Sequence, residues 1–303
     1  MLWPTPATAL AGALLTVVLT VPVLRALPEP RAEDADGKPP YADLATPAFV
    51  LTVGAVALAA GLLATAVLPW PHWLAWASLC TVGVVAVGID ARTTWLPLPL
   101  ARAGWAVAAM GAGVVAVSAD AWTPLLASVV GAACLGGLFH LLWRFTGAFG
   151  YGDVRLAANI GAVTALHSVE LVVTSLVLGT AASALVGVGH RLAGGRGAFP
   201  YGPGLLAGPF LALLAWLNRR LQLQRADQLW WSAAALLAAP LLLTGHAIAA
   251  AETVAQVLAA WLLFRSATAL RERLAPHGLA DVIGAGLVVG LGIAFLVGLR
   301  QLD

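Results

Sequence analysis

Two carboxylates, Asp90 and Asp153, have surroundings in this sequence that can support chemistry. Asp90 closes a long apolar stretch: after Asp43 no Asp, Glu, Lys or Arg occurs before it. Asp153 stands in the segment Gly150-Tyr151-Gly152-Asp153. Acidic side chains beside apolar spans are costly and are functional by default. Two carboxylates brought close cannot both ionise easily, so one keeps a proton. The ionised member can activate water as a general base, and the protonated member can polarise a peptide carbonyl. That is aspartyl-protease chemistry, with no metal or organic cofactor in the step. The division of acid and base roles stays open at this level, because coupled groups titrate as a pair.

Each aspartate also has a plain structural reading. Asp90 can simply mark the C-terminal end of a helix. Asp153 can be the N-cap of a helix starting at Val154, since Asp is a preferred cap. Gly150 and Gly152 permit backbone conformations that a side chain forbids, and close approach of another chain. A rival function is a proton- or ion-coupled transporter that uses the two aspartates. Such transporters often show repeated halves and broken midplane helices. The sequence shows no internal repeat, and both aspartates lie near span ends.

The elements that must position this pair follow from composition. The chain has 303 residues, 61% of them hydrophobic and only 10% charged. A soluble domain is about 45–50% apolar and about 25% charged, so there is too little charge here for a water-facing surface. Disorder is excluded, because disordered chains are apolar-poor. A net charge of +2 gives no footprint for nucleic acid. A span needs about 20 apolar residues to cross about 30 Å of hydrocarbon, and the apolar blocks here are apolar on every side. They predict helices rather than the alternating strands of a membrane barrel. The fold expected is all-α, a polytopic transmembrane helical bundle of about 9–11 spans.

Spans are expected over residues 7–24, 46–68, 71–89, 99–118 and 122–143, with a turn at Asp120. A short helix follows near Asp153, then one over 169–190, one opening at Pro200, and about three more over 221–303. The first span is not read as a signal peptide, since Met1-Leu2-Trp3-Pro4-Thr5 carries no basic residue. Three regions result: N-terminal spans over 1–72 with a polar loop at 25–43, a core over 73–218, and extra spans over 219–303. The loop holds Lys38, the only lysine. Arginine asymmetry sets an orientation: Arg25, Arg92, Arg102, Arg144, Arg155, Arg191 and Arg196 fall on one side, taken as cytoplasmic. His72, Asp120, His167 and Glu170 fall on the other. Beyond residue 200 the pattern weakens, with Arg219, Arg220, Arg225, Arg265 and Arg271 on the wrong side. Trp3, Trp70, Trp73 and Trp143 read as interfacial anchors.

The residues around the two aspartates resemble the type IV prepilin peptidases, a family of membrane aspartyl proteases. The first motif is carried by Asp90, Thr93, Leu96 and Pro97, with Leu98 where the family has Asn. The second is Gly150-Tyr151-Gly152-Asp153-Val154-Arg155-Leu156, with Arg155 in place of the family's Lys. The third is Pro200-Tyr201-Gly202-Pro203, opening a later helix. The resemblance covers about residues 79–217. It implies that Asp90 and Asp153 are the catalytic pair of an endopeptidase in the cell membrane, acting at the cytoplasmic face. Its partners would be prepilin or pseudopilin precursors, cut after a short basic leader. Some members also methylate the new N-terminus, so S-adenosylmethionine is implied only where methylation is retained. Many of those carry two CxxC pairs in a cytoplasmic insert, whereas the loop at 25–43 has no cysteine.

Other polar residues give weaker signals. Arg92 and Arg155 adjoin the aspartates and also serve to set topology. Glu29, Glu33, Asp34 and Asp36 can attract a basic leader or simply solvate the loop. Cys80 and Cys134 lie in apolar stretches and are too few for a CxxC-based zinc site. His140, His190 and His246 show no metal-ligand spacing. No metal is expected. Gly136-Gly137 and Ala132-Ala133 suit close helix packing.

Overall fold

The computed structural model describes residues 4–29, 38–146, 150–192 and 199–220. The spans expected over 221–303 lie outside the described residues, as do Trp3 and Arg196. All regular structure among the described residues is helical, and the protein is a polytopic transmembrane helical bundle. The helices are α1 (Pro4–Ala26), α2 (Pro47–Val67), α3 (Trp70–Thr93), α4 (Leu98–Ser118), α5 (Thr123–Thr146), α6 (Tyr151–Ala165), α7 (Val169–Leu192) and α8 (Gly202–Arg220). Six of them, α1 to α5 and α7, are long and apolar enough to cross a membrane. Helix α6 has 15 residues, a length of about 22 Å at 1.5 Å per residue.

Local chemistry sets the boundaries. Thr46 caps α2 by accepting a hydrogen bond from the Phe49 N–H at 3.2 Å, and Pro47 sits where its missing donor costs nothing. Helix α3 runs one turn further than expected and ends at Thr94, whose φ of 56° lies in the left-handed region. The α4–α5 turn falls where expected, with Asp120 at a φ of 47°. Helix α3 opens as a 3-10 turn and contains a π-helical stretch, Ser78–Gly83. An extra residue in one turn rotates everything after it by about 100° relative to a regular helix. That rotation decides which face of α3 presents Asp90.

The helices approach through small residues. Gly131 of α5 and Gly161 of α6 each lie against the other's carbonyl, leaving no room for a Cβ on either. Gly111 of α4 meets the backbone of Ala75 in α3, and Gly208 of α8 meets Ser175 and Gly179 of α7. Without a hydrophobic drive between helices in lipid, such contacts supply the packing attraction. Gly136 contributes to this, against Ala158, while Gly137 faces open space. The outward faces carry large apolar side chains, including Leu14, Val18, Leu51, Val117 and Val129. Helices α3, α6 and α8 contact one another inside the bundle, with Ile89, Ile160, Val163, Leu205 and Leu213 essentially sealed between them.

Candidate active site

Asp90 lies in the last turn of α3 and is 4% exposed; Asp153 lies in the first turn of α6 and is 6% exposed. The two carboxylates interact electrostatically, so the topology brings together residues separated by three helix connections. Each carboxylate also holds one backbone donor. The Gly202 N–H donates to Asp90 Oδ2 at 2.9 Å, and the Gly150 N–H donates to Asp153 Oδ2 at 3.1 Å.

Helix α6 starts two residues before Asp153 and not after it. Gly150 is the N-cap, and Asp153 occupies the third helical position. Its N–H donates to the Gly150 carbonyl at 3.0 Å, while its carboxylate reaches back to the Gly150 N–H. This is the returning half of a capping box. The expected N-cap role for Asp153 is therefore replaced by one that uses a single carboxylate oxygen. Gly150 has φ −73° and ψ 150°, a conformation open to any residue. Gly152 is required for space: a Cβ there would lie 2.6 Å from the Leu96 Cβ.

The remaining motif residues divide into those that touch the pair and those that shape its walls. Thr93 is buried, and its hydroxyl donates back to the Ile89 carbonyl at 2.9 Å. Pro97 is the N-cap of α4, and Leu96 packs on Gly152. The Arg155 guanidinium lies over the Tyr151 ring, 4.9 Å from its centroid, and its carbonyl accepts from Trp105 Nε1 at 3.1 Å. Tyr151 also meets Trp143 and His140 edge to face. Gly202 approaches so closely that a Cβ would stand 2.8 Å from Asp90 Oδ2. Pro200 precedes this contact, and Pro203 falls in the first turn of α8, where a missing N–H is harmless.

Ser183, Tyr201 and Lys38 also belong to the surroundings of the pair. Ser183 of α7 donates to the Tyr201 carbonyl at 3.0 Å and thereby braces the loop that delivers Gly202. Tyr201 is buried, with its phenol pushed up by burial and by the charge of Asp153. Lys38, from the α1–α2 connection, donates to Thr94 Oγ1 at 3.1 Å. The only hint of Lys38 in the sequence was that no other lysine exists. Thr94 and Ser183 carried no signal.

Comparison of the chain with family models, with curated proteins and with solved structures gives no match. Cys80 is buried on α3 and Cys134 is exposed on α5; being the chain's only two cysteines, they cannot build the four-thiolate zinc site of a CxxC pair set. The arrangement that remains is two buried, mutually repelling carboxylates. Each is tethered through one oxygen, at the end of the bundle that also carries Arg25, Arg92, Arg102 and Arg144.

Proposed function

We propose that the chain is a membrane aspartyl endopeptidase of the prepilin-peptidase type, removing the leader from pilin-like precursors. The observation that carries this reading is the pairing of Asp90 and Asp153, two buried carboxylates that act on each other and are each fixed by one backbone donor. Repulsion favours a state in which the pair shares one proton. The ionised carboxylate takes a proton from water as the oxygen attacks the scissile carbonyl, and the protonated carboxyl hydrogen-bonds the carbonyl oxygen. Collapse of the tetrahedral species returns a proton to the departing amine and leaves a new carboxyl on the leader.

The arginine-bearing end of the helices supports a cytoplasmic location for the site in the cell membrane, by the positive-inside rule. A precursor with a hydrophobic stem can then lie alongside the bundle in lipid, its leader reaching the carboxylates. A transporter reading finds less support, because both aspartates sit in terminal turns and not at a midplane break.

The test is leader cleavage of a pilin-like precursor in membranes containing the wild-type chain, Asp90→Asn or Asp153→Asn. Each variant should lose about a hundredfold or more in rate. Full processing by either variant sinks the mechanism.

A further inference from the structure

Lys38 lies on the α1–α2 connection, remote in sequence from both carboxylates, yet the fold places it at the end of the helix that bears Asp90. Its Nζ donates to Thr94 Oγ1 at 3.1 Å and stands 4.8 Å from the centroid of the Trp95 ring. Thr94 is the residue that terminates α3, and its N–H donates to the Asp90 carbonyl at 2.7 Å. The ammonium also interacts electrostatically with Asp90 itself. The connection is pinned just beyond Lys38. Tyr41 and Leu44 are buried in the core, and the Tyr41 N–H donates to Glu29 Oε1 at 2.9 Å. A half-buried lysine would ordinarily extend its charge into water. This one is held by a hydroxyl and an aromatic face.

Asp90 occupies the last turn of α3, where the unpaired carbonyls carry partial negative charge. A cation fixed at that same end offsets it. Asp153 sits differently, in a first turn, where the helix end and the Gly150 N–H both favour negative charge, so the cation near Asp90 has to outweigh them. Arg155, the cation of the second motif, lies over Tyr151. We propose that Lys38 is a positioning residue that holds the single negative charge of the carboxylate pair on Asp90. Asp90 is then the member that activates water, and Asp153 the member that keeps the proton. The proposal rests on the protease reading for its consequence in catalysis, though the placement of charge can be measured without it.

The experiment uses the full-length protein in lipid nanodiscs as wild type, Lys38→Met and Lys38→Arg. The first readout is steady-state cleavage of a leader-bearing precursor. Lys38→Met should lower kcat by about tenfold or more, with KM within about twofold of wild type, and Lys38→Arg should restore kcat to within about threefold. An unchanged kcat in Lys38→Met, a loss confined to KM, or an arginine variant as slow as the methionine one overturns the proposal. The second readout needs no turnover. A hydrophobic carbodiimide adds to protonated carboxyls, and peptide mass spectrometry locates the adduct. Wild type should be labelled mainly at Asp153, and Lys38→Met at Asp90 as well. Equal labelling in wild type, or a pattern that Lys38→Met leaves unchanged, overturns the proposal. A wild type that cleaves no leader overturns the protease reading instead, and the labelling still decides where the charge sits.

Discussion

The N–H of Gly202 donates to Oδ2 of Asp90 at 2.9 Å, joining residues 112 apart in sequence. This bond ties the first turn of α8 to the last turn of α3. It engages only one of the two carboxylate oxygens of Asp90. It also explains why the residue is glycine, since any Cβ would collide with the carboxylate it serves.

Gly202→Ala should therefore disable the site without unfolding the bundle. The added Cβ would stand 2.8 Å from Asp90 Oδ2, and overpacking of this kind costs about 1–3 kcal/mol. The expected outcome is a loss of about tenfold or more in leader cleavage, with the detergent-solubilised protein still monodisperse. Size-exclusion chromatography beside the cleavage assay checks both parts.

Gly152 and Leu96 supply a paired test. A Cβ at 152 would lie 2.6 Å from the Leu96 Cβ, so Gly152→Ala should push the Leu96 loop off the first turn of α6. Cleavage should fall by about tenfold. Removing the opposing Cβ with Leu96→Gly should recover part of that loss in the double variant. Non-additivity of about 0.5–3 kcal/mol is expected for residues in direct contact, and kcat/KM for the four proteins of the cycle measures it.

The bundle and its pair of carboxylates were legible because charge is scarce: a lone Asp ending an apolar run stands out against 10% charged residues. The Gly150–Asp153 and Pro200–Pro203 segments stood out for a similar reason, as irregular stretches between apolar helices. What escaped was set by tertiary contact. The π-helical stretch at Ser78–Gly83 has no compositional mark, yet it turns the Asp90 face of α3. Thr93 reads as a site residue but spends its hydroxyl on Ile89. Ser183 resembles any serine in an apolar helix until the Tyr201 carbonyl arrives beside it.

Ser183→Ala probes that hidden brace. Its hydroxyl is buried and serves the carbonyls of Gly179 and Tyr201, at 2.9 and 3.0 Å. The Tyr201 carbonyl keeps a donor in the Leu205 N–H at 3.2 Å, so the variant loses one hydrogen bond, about 0.5–1.5 kcal/mol. Thermal unfolding should move down by a few degrees, and cleavage should slow because Tyr201, which leads into Gly202, is less well held. Ser183→Thr should fare no better, since Gly204 packs directly against this position. A thermal shift assay together with kcat measures the two effects.

Helix α6 depends on α5 through the mutual contact of Gly131 and Gly161. A side chain at either position must drive the helices apart, and α6 carries Asp153 at its first turn. Gly161→Val should cost about 2–4 kcal/mol through overpacking of a two-glycine crossing. Because the crossing lies two turns beyond Asp153, separation of the helices should also shift the carboxylate relative to Asp90. The expected result is a lower midpoint of thermal aggregation and cleavage reduced beyond what the loss of folded protein explains. Gly137→Val, on the same helix as Gly131 but facing open space, should leave both unchanged. Cleavage normalised to folded protein separates an effect of packing from one of mere composition, and equal behaviour of the two variants would count against the crossing as the element that sets Asp153.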